Sequence, residues 1–201
     1  MVSIPALPGH PDAMRALELV RSHERPAVAN HSVRTYLHAV LAARARQMTP
    51  GTDYDGDLLF YACVLHDIGT SDSYDGPKRF EVEGADAAAA FLTEAGIAAE
   101  RVDQVWEAIA LHTSPQIAER RGPITLLTRL GIRADFSGPG ADRSLLEQHY
   151  PRLDVERELT AAVIGQAMRQ PDKAPNSSWP GNLLRAHLAA PDDPDARLKG
   201  F

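Results

Sequence analysis

The chain has little of what would place a protein outside the cell, in a membrane or on a nucleic acid. A single cysteine, Cys63, stands among 201 residues, so no internal disulfide can form, and its apolar neighbours suit a buried thiol in a reducing compartment. Positive charge is not in excess. Against 27 Asp and Glu there are 21 Lys and Arg, a formal net charge of −6, which opposes non-specific attraction to nucleic-acid polymers or anionic membranes. The opening stretch, MVSIPALPGHPDAMRALELV, lacks a basic segment ahead of an apolar run and is interrupted by Pro5, Pro8 and Pro11. Neither a signal peptide nor a membrane anchor is expected there, and the expected location is the cytoplasm. Alternating strand patterns and internal repeats are also absent.

What remains is a chain with 44% hydrophobic and 24% charged residues, the balance of a globular protein large enough for one sizeable core. Its apolar spacing predicts an all-α fold, with helices over about 11–23, 27–48, 55–67, 83–95, 98–111, 122–134, 142–149 and 154–169. Punctuation supports this: Pro50 and Gly51 follow the second helix, Asp55 or Asp57 can cap the third, and Gly96 stands where a helix C-terminus favours a left-handed residue. Residues 1–170 are expected to form the domain, with its motifs between 25 and 140. The remainder, 171–201, reads as a C-terminal extension in which NLLRAHLAA offers a short helix.

Chemistry enters with the histidines. His31, His66 and His112 each lie in a largely apolar helical context, where an imidazole needs a partner. In FYACVLHDIGTSD, His66 and Asp67 are adjacent on a helix, so their side chains point about 100° apart and share a target only if something lies between them. A metal ion is one such meeting point, since imidazole nitrogen and carboxylate oxygen suit zinc, iron or manganese. The plainer alternative has His66 donating to a backbone carbonyl while Asp67 caps the following turn.

Across the chain the order is His31 in VANHSVRTYLHAVL, His66 and Asp67 in LHD, then Asp135 in LGIRADFSG. This order resembles the HD-domain superfamily of metal-dependent hydrolases, and NHSVRTY, LHDIGTSD, KRFEVEGADAA, AIALHTS and IRADFSG resemble its cyanamide hydratase-like group. The resemblance implies an all-helical bundle around one divalent transition metal held by His31, His66, Asp67 and Asp135, with zinc the first choice and iron or manganese the others. It further implies addition of water to a small nitrile-like substrate, of the cyanamide-to-urea type. Dinuclear members carry a further histidine four residues before the Gly-Ala opening the next helix; here that pair is Gly84-Ala85 and the position is Phe80. A mononuclear site is therefore expected.

In this reading Asp67 serves as ligand and proton acceptor, and His112 as a proton relay or, alternatively, a fifth ligand. Lys78, Phe80 and Glu81, in the long loop after the HD motif, are the candidate substrate-binding residues. A compact nitrile would need only a small, enclosed pocket. Two other readings stand beside it. One is a phosphohydrolase acting on a nucleotide or small phosphomonoester, its phosphate met by Arg34, Lys78 and Arg79; the other is a non-catalytic ligand-sensing module that keeps the metal. The expected partner is a small molecule, with a homo-oligomer left open.

Overall fold

Residues 4–137 and 141–191 are described by the structure, a computed structural model of the chain. Among them are nine α-helices: α1 (Pro11–His23), α2 (Pro26–Ala45), α3 (Gly56–Leu65), α4 (Phe80–Glu94), α5 (Ala99–Ala110), α6 (Pro123–Phe136), α7 (Ala141–His149), α8 (Val155–Arg169) and α9 (Trp179–Ala189). Among the described residues no strand forms beyond one isolated bridge between Pro50 and Tyr54, so the fold is all-α, as the sequence predicts. No described helix is long and apolar enough to cross a membrane. The charged tail from 192 onward lies outside the described residues.

At the centre stands α3. Asp55 caps it, accepting from the Asp57 and Leu58 N–H groups at 3.0 and 3.1 Å, and every residue from Leu58 to Leu65 is buried. A helix apolar on all sides must be surrounded; α1, α2, α4, α5 and α6 all touch it. Two boundaries differ from expectation. Helix α2 stops at Ala45 because Gln47 adopts a φ of 59°, a left-handed conformation that breaks the helical ladder. Helix α4 begins at Phe80, earlier than the predicted 83, with Glu81 and Glu83 in its first turn, where carboxylates favour the positive helix end.

Two close approaches fix the site. Helices α2 and α6 run antiparallel, and a Cβ at Gly131 would overlap the Thr35 carbonyl oxygen and lie 3.1 Å from the Ala39 Cβ. One turn along each helix, the same contact carries Asp135 onto His31 and Arg34. At Gly69 a Cβ would overlap the Phe80 carbonyl, so only glycine lets the short turn after Asp67 sit against the start of α4.

The C-terminal segment closes the other side. Leu159, Val163 and Ile164 of α8 and Leu183 of α9 bury themselves with Ala27, Val28 and Phe80 in a second apolar cluster, with Trp179 against it. The Gln166 amide donates to the Gly69 carbonyl at 2.9 Å. Buried Lys173 pairs with Asp75 and donates to the Gly76 carbonyl at 2.7 Å. The segment after 170 thus wraps onto the loop that follows the HD dipeptide.

Gly131→Ala tests the helix contact. The added methyl must push α2 from α6, and overpacking of this kind costs about 1–3 kcal/mol. Chemical denaturation should show a loss of that size.

Candidate metal centre

The two halves of the HD dipeptide share a target because the helix ends between them. His66 follows the last residue of α3 and donates its Nδ1–H to the Cys63 carbonyl at 2.7 Å, satisfying one of the carbonyls a helix end leaves open. At Asp67 the backbone has turned to φ −103°, ψ 3°, and its side chain swings alongside the His66 ring. His112 repeats the device after α5, donating Nδ1–H to the Ile109 carbonyl at 2.6 Å. Each ring therefore presents Nε2 as its free face. The plain alternative for His66 is correct for one nitrogen, and the second remains available. Asp67 makes no side-chain cap to the next turn.

His31, from the interior of α2, supplies the third group. Its Nε2 lies 3.7 Å from Asp67 Oδ2, and His66 Nε2 lies 3.1 Å from the same oxygen. Donor atoms of His31, His66 and Asp67 all fall within 4.8 Å of one another. His31 Nε2 and Asp67 Oδ2 are buried and make no hydrogen bond, a state that costs about 1–3 kcal/mol for each neutral group and more for a charge. A divalent cation between them satisfies these atoms together, and the His-His-Asp set fits zinc, iron or manganese.

Asp135 does not join that set in the structure, which corrects the expectation of a fourth ligand. It stands behind His31, accepting from His31 Nδ1–H at 2.7 Å, and a buried Arg34 grips both its oxygens, Nε to Oδ1 at 2.7 Å and Nη2 to Oδ2 at 2.8 Å. A carboxylate bonded to the far nitrogen of a metal-binding imidazole fixes its tautomer and raises its basicity. Arg34 also donates to the Tyr150 carbonyl at 2.9 Å. Fully buried and so engaged, it is not available to meet a substrate phosphate.

The three substrate-binding candidates are also displaced from the cavity wall. Lys78 is exposed and pairs with Asp86 at 2.6 Å. Glu81 is buried behind the wall, accepting from Thr113 Oγ1 at 2.6 Å and pairing with Arg79 at 2.6 Å. Phe80 packs edge-on to His112 and to Trp179, with ring centroids 5.5 and 5.9 Å away. The reason is the early start of α4, which turns Phe80 and Glu81 toward the end of α5, and Phe80 also toward α9, and leaves Lys78 outside, paired along α4. No second group of metal-binding residues forms among the described residues.

His112 keeps its place beside the cluster, its Nε2 3.6 Å from Asp67 Oδ1. It stays outside the ligand group. Burial, reinforced by the charge of His66, pushes its pKa down to about 4; the ring is neutral at neutral pH and ready to accept a proton. Burial likewise lowers His31 against the pull of Asp135. For His66 burial is outweighed by the Asp67 charge and the bonds to Asp67 and Cys63, and the pKa rises. Burial works to raise both carboxyls, but the surrounding histidines hold Asp67 well below the usual carboxylate range, and Arg34 with His31 does the same for Asp135. Burial pushes the Cys63 thiol, whose one side-chain partner is Thr128, up to about 12 and leaves it an inert core thiol.

Above the cluster opens a cavity of about 560 Å³. Its floor is His31, His66, Asp67 and His112; one wall is Arg129, Ile132, Arg133 and Phe136 of α6; Ser177, Trp179 and Asn182 form the far wall. Sequence reasoning missed both walls. The α6 residues follow a 129, 132, 133, 136 spacing, a helical face that was legible, whereas nothing in the Pro- and Ser-rich stretch before α9 signalled that it folds back.

Two comparisons agree with this geometry. A family model described as HD domain matches residues 28–137. Two proteins of Saccharomyces cerevisiae, cyanamide hydratase DDI2 and cyanamide hydratase DDI3, are each 30% identical over 156 residues, covering 72% of this chain and 67% of theirs.

Zinc titration should saturate near one equivalent per chain. Asp135→Asn should keep that stoichiometry while weakening affinity by about 10–100-fold, read by competition with a chelator. Acid sensitivity follows from His112: its folded pKa lies below the unfolded value of 6.5, so below that pH the unfolded chain takes up a proton the folded chain refuses. Stability should fall between about pH 6.5 and 4 by roughly 3 kcal/mol more in wild type than in His112→Gln. Denaturation midpoints across that range provide the measurement.

Proposed function

Because the chain belongs to the HD-domain family, in its cyanamide hydratase-like group, we propose that it is a metal-dependent enzyme that adds water to a carbon–nitrogen multiple bond. The observation that carries this reading is the convergence of His31 Nε2, His66 Nε2 and Asp67 Oδ2 on one point, with neutral His112 beside them. The names of the two yeast relatives supply the reaction type.

His31, His66 and Asp67 would hold a divalent ion, which would supply a water acidic enough, with a pKa of about 7, to act as a nucleophile near neutral pH. The protein's residues then govern orientation and proton movement. Asp135 and Arg34 hold His31 in the tautomer that leaves Nε2 unprotonated. His112 carries its proton on Nδ1 because Ile109 accepts it there, so Nε2 can take the proton that water releases as its oxygen bonds to carbon. The nearby Asp67 charge steadies the imidazolium that results. That proton passes to the substrate nitrogen, completing addition of one water with no leaving group. The ring thus accepts before it donates, the order its lowered pKa favours.

The phosphohydrolase reading loses the cations on which it depended. Arg34 is locked to Asp135, Lys78 to Asp86, and Arg79 to Glu81. The cavity, however, is neither small nor enclosed as a compact nitrile requires: cyanamide occupies only about twice the ~30 Å³ share of one water molecule, against about 560 Å³ here. The substrate is expected to be a larger relative of cyanamide, with cyanamide itself turned over as a fragment.

A screen of zinc-loaded protein against cyanamide, other nitriles and nucleoside monophosphates tests the reading. Urea should appear from cyanamide, and His112→Ala should lower kcat by about 10²–10⁴-fold with metal content unchanged. Nucleoside monophosphate hydrolysis without urea formation would reject it.

A further inference from the structure

The cavity has a charge pattern that the proposed reaction does not use. Among the described residues lining it, Asp67 is the sole carboxylate, and that group faces the metal cluster. Two guanidinium groups, Arg129 and Arg133, share the α6 wall. They lie four residues apart, on one helix face; burial lowers the Arg129 pKa, the charge of Glu119 opposes this, and the charge of Arg133 lowers it again. Such mutual repulsion is unfavourable unless something anionic comes between them.

Their present partners quench only Arg129, and that in part. Arg129 donates Nη1 to the His112 carbonyl at 3.0 Å, but its Nε is buried without a hydrogen bond and stands 3.7 Å from Glu119. The Arg133 guanidinium makes no hydrogen bond or ion pair with any described residue, while its backbone carbonyl accepts from the Ser137 hydroxyl. It is exposed, whereas His31, His66 and Asp67 are buried; the cation marks the mouth of the cavity and the cluster its floor. Between them Ile132 and Phe136, on the same α6 face, look across to Leu159 and Trp179. The protein as a whole carries −6, so this cationic wall runs against its overall charge.

Resting on the water-addition reading, we propose that the substrate has two ends: a carbon–nitrogen group at the metal cluster, and a carboxylate or phosphate remote from the reacting bond, held by Arg133 with Arg129. A guanidinium fork matches the paired oxygens of either anion. The apolar wall between takes an aliphatic or aromatic spacer. A phosphate in this position is a handle, met by the exposed Arg133 and not by the buried cluster that activates water. Because Arg129 also bonds the His112 carbonyl, anion binding at the mouth steadies the segment that carries the proton relay.

Binding decides this independently of turnover. Calorimetry on the zinc-loaded full chain would compare phenylacetate and phenyl phosphate with neutral phenylacetamide, in wild type, Arg133→Gln and Arg133→Lys. Expected is at least tenfold tighter binding of one or both anions than of the amide, a loss of about tenfold in Arg133→Gln, and partial recovery in Arg133→Lys. The tighter of the two anions identifies the handle. Equal affinity for anions and amide, or anion binding unchanged in Arg133→Gln because the anion sits on the metal, would overturn the proposal. Arg133 is exposed, so its substitution leaves the fold intact. A protein that binds the anions through Arg133 yet forms no urea from cyanamide would reject the reaction and keep the handle.

Discussion

A buried carboxylate, Asp135, joins the helix packing to the chemistry. It accepts from Arg34 and from His31, so one side chain ties α2 to α6 and also sets which nitrogen of His31 faces the metal position. Arg152 adds a second cationic contact, donating to the Asp135 backbone carbonyl at 2.8 Å. Removing one member of such a buried group leaves an uncompensated charge, at about 3–5 kcal/mol. The contact exists only because Gly131 lets the helices touch one turn away. Geometry at an atom that faces the metal position therefore traces back to a missing methyl group outside the cavity.

Much of this was legible in the sequence, for physical reasons that can be named. Helix α3 announced itself by its uninterrupted apolar run and its Asp55 cap, and the spaced order of His31, His66, Asp67 and Asp135 marked the site's corner of the bundle. What sequence order could not show was which groups stand inside the ring of donors and which stand behind it. Arg34, three residues after His31, read as a cation available to a substrate phosphate; its burial depends on a helix contact that α2 alone does not reveal. Lys78, Phe80 and Glu81 were placed by assuming a loop to residue 83, and a helix start only three residues earlier re-aimed all of them. Trp179 and Asn182 lay beyond a Pro- and Ser-rich stretch whose composition says nothing about where it docks.

The site also shows how a uniformly buried set of histidines becomes a differentiated one. All three rings lie in the same dry interior, which favours the neutral form of each. His66 departs from that trend through its carboxylate neighbour, while His112, farther from Asp67 and nearer to His66, follows it. One nitrogen of each ring is tied to a carbonyl or carboxylate. The inward-facing nitrogens thereby become lone pairs by default, without any residue dedicated to deprotonating them.

The wrap of the C-terminal segment has an evolutionary consequence. The residues that make water reactive lie within 28–137, the stretch that matches the family model, whereas Ser177, Trp179 and Asn182 of the far wall lie beyond it. One wall of the cavity is thus written apart from the reactive cluster, while the α6 wall shares its stretch of the gene. Drift in the last quarter of the chain can reshape the far wall while the cluster and the cationic wall are inherited unchanged, so relatives can come to differ in what they admit before they differ in mechanism.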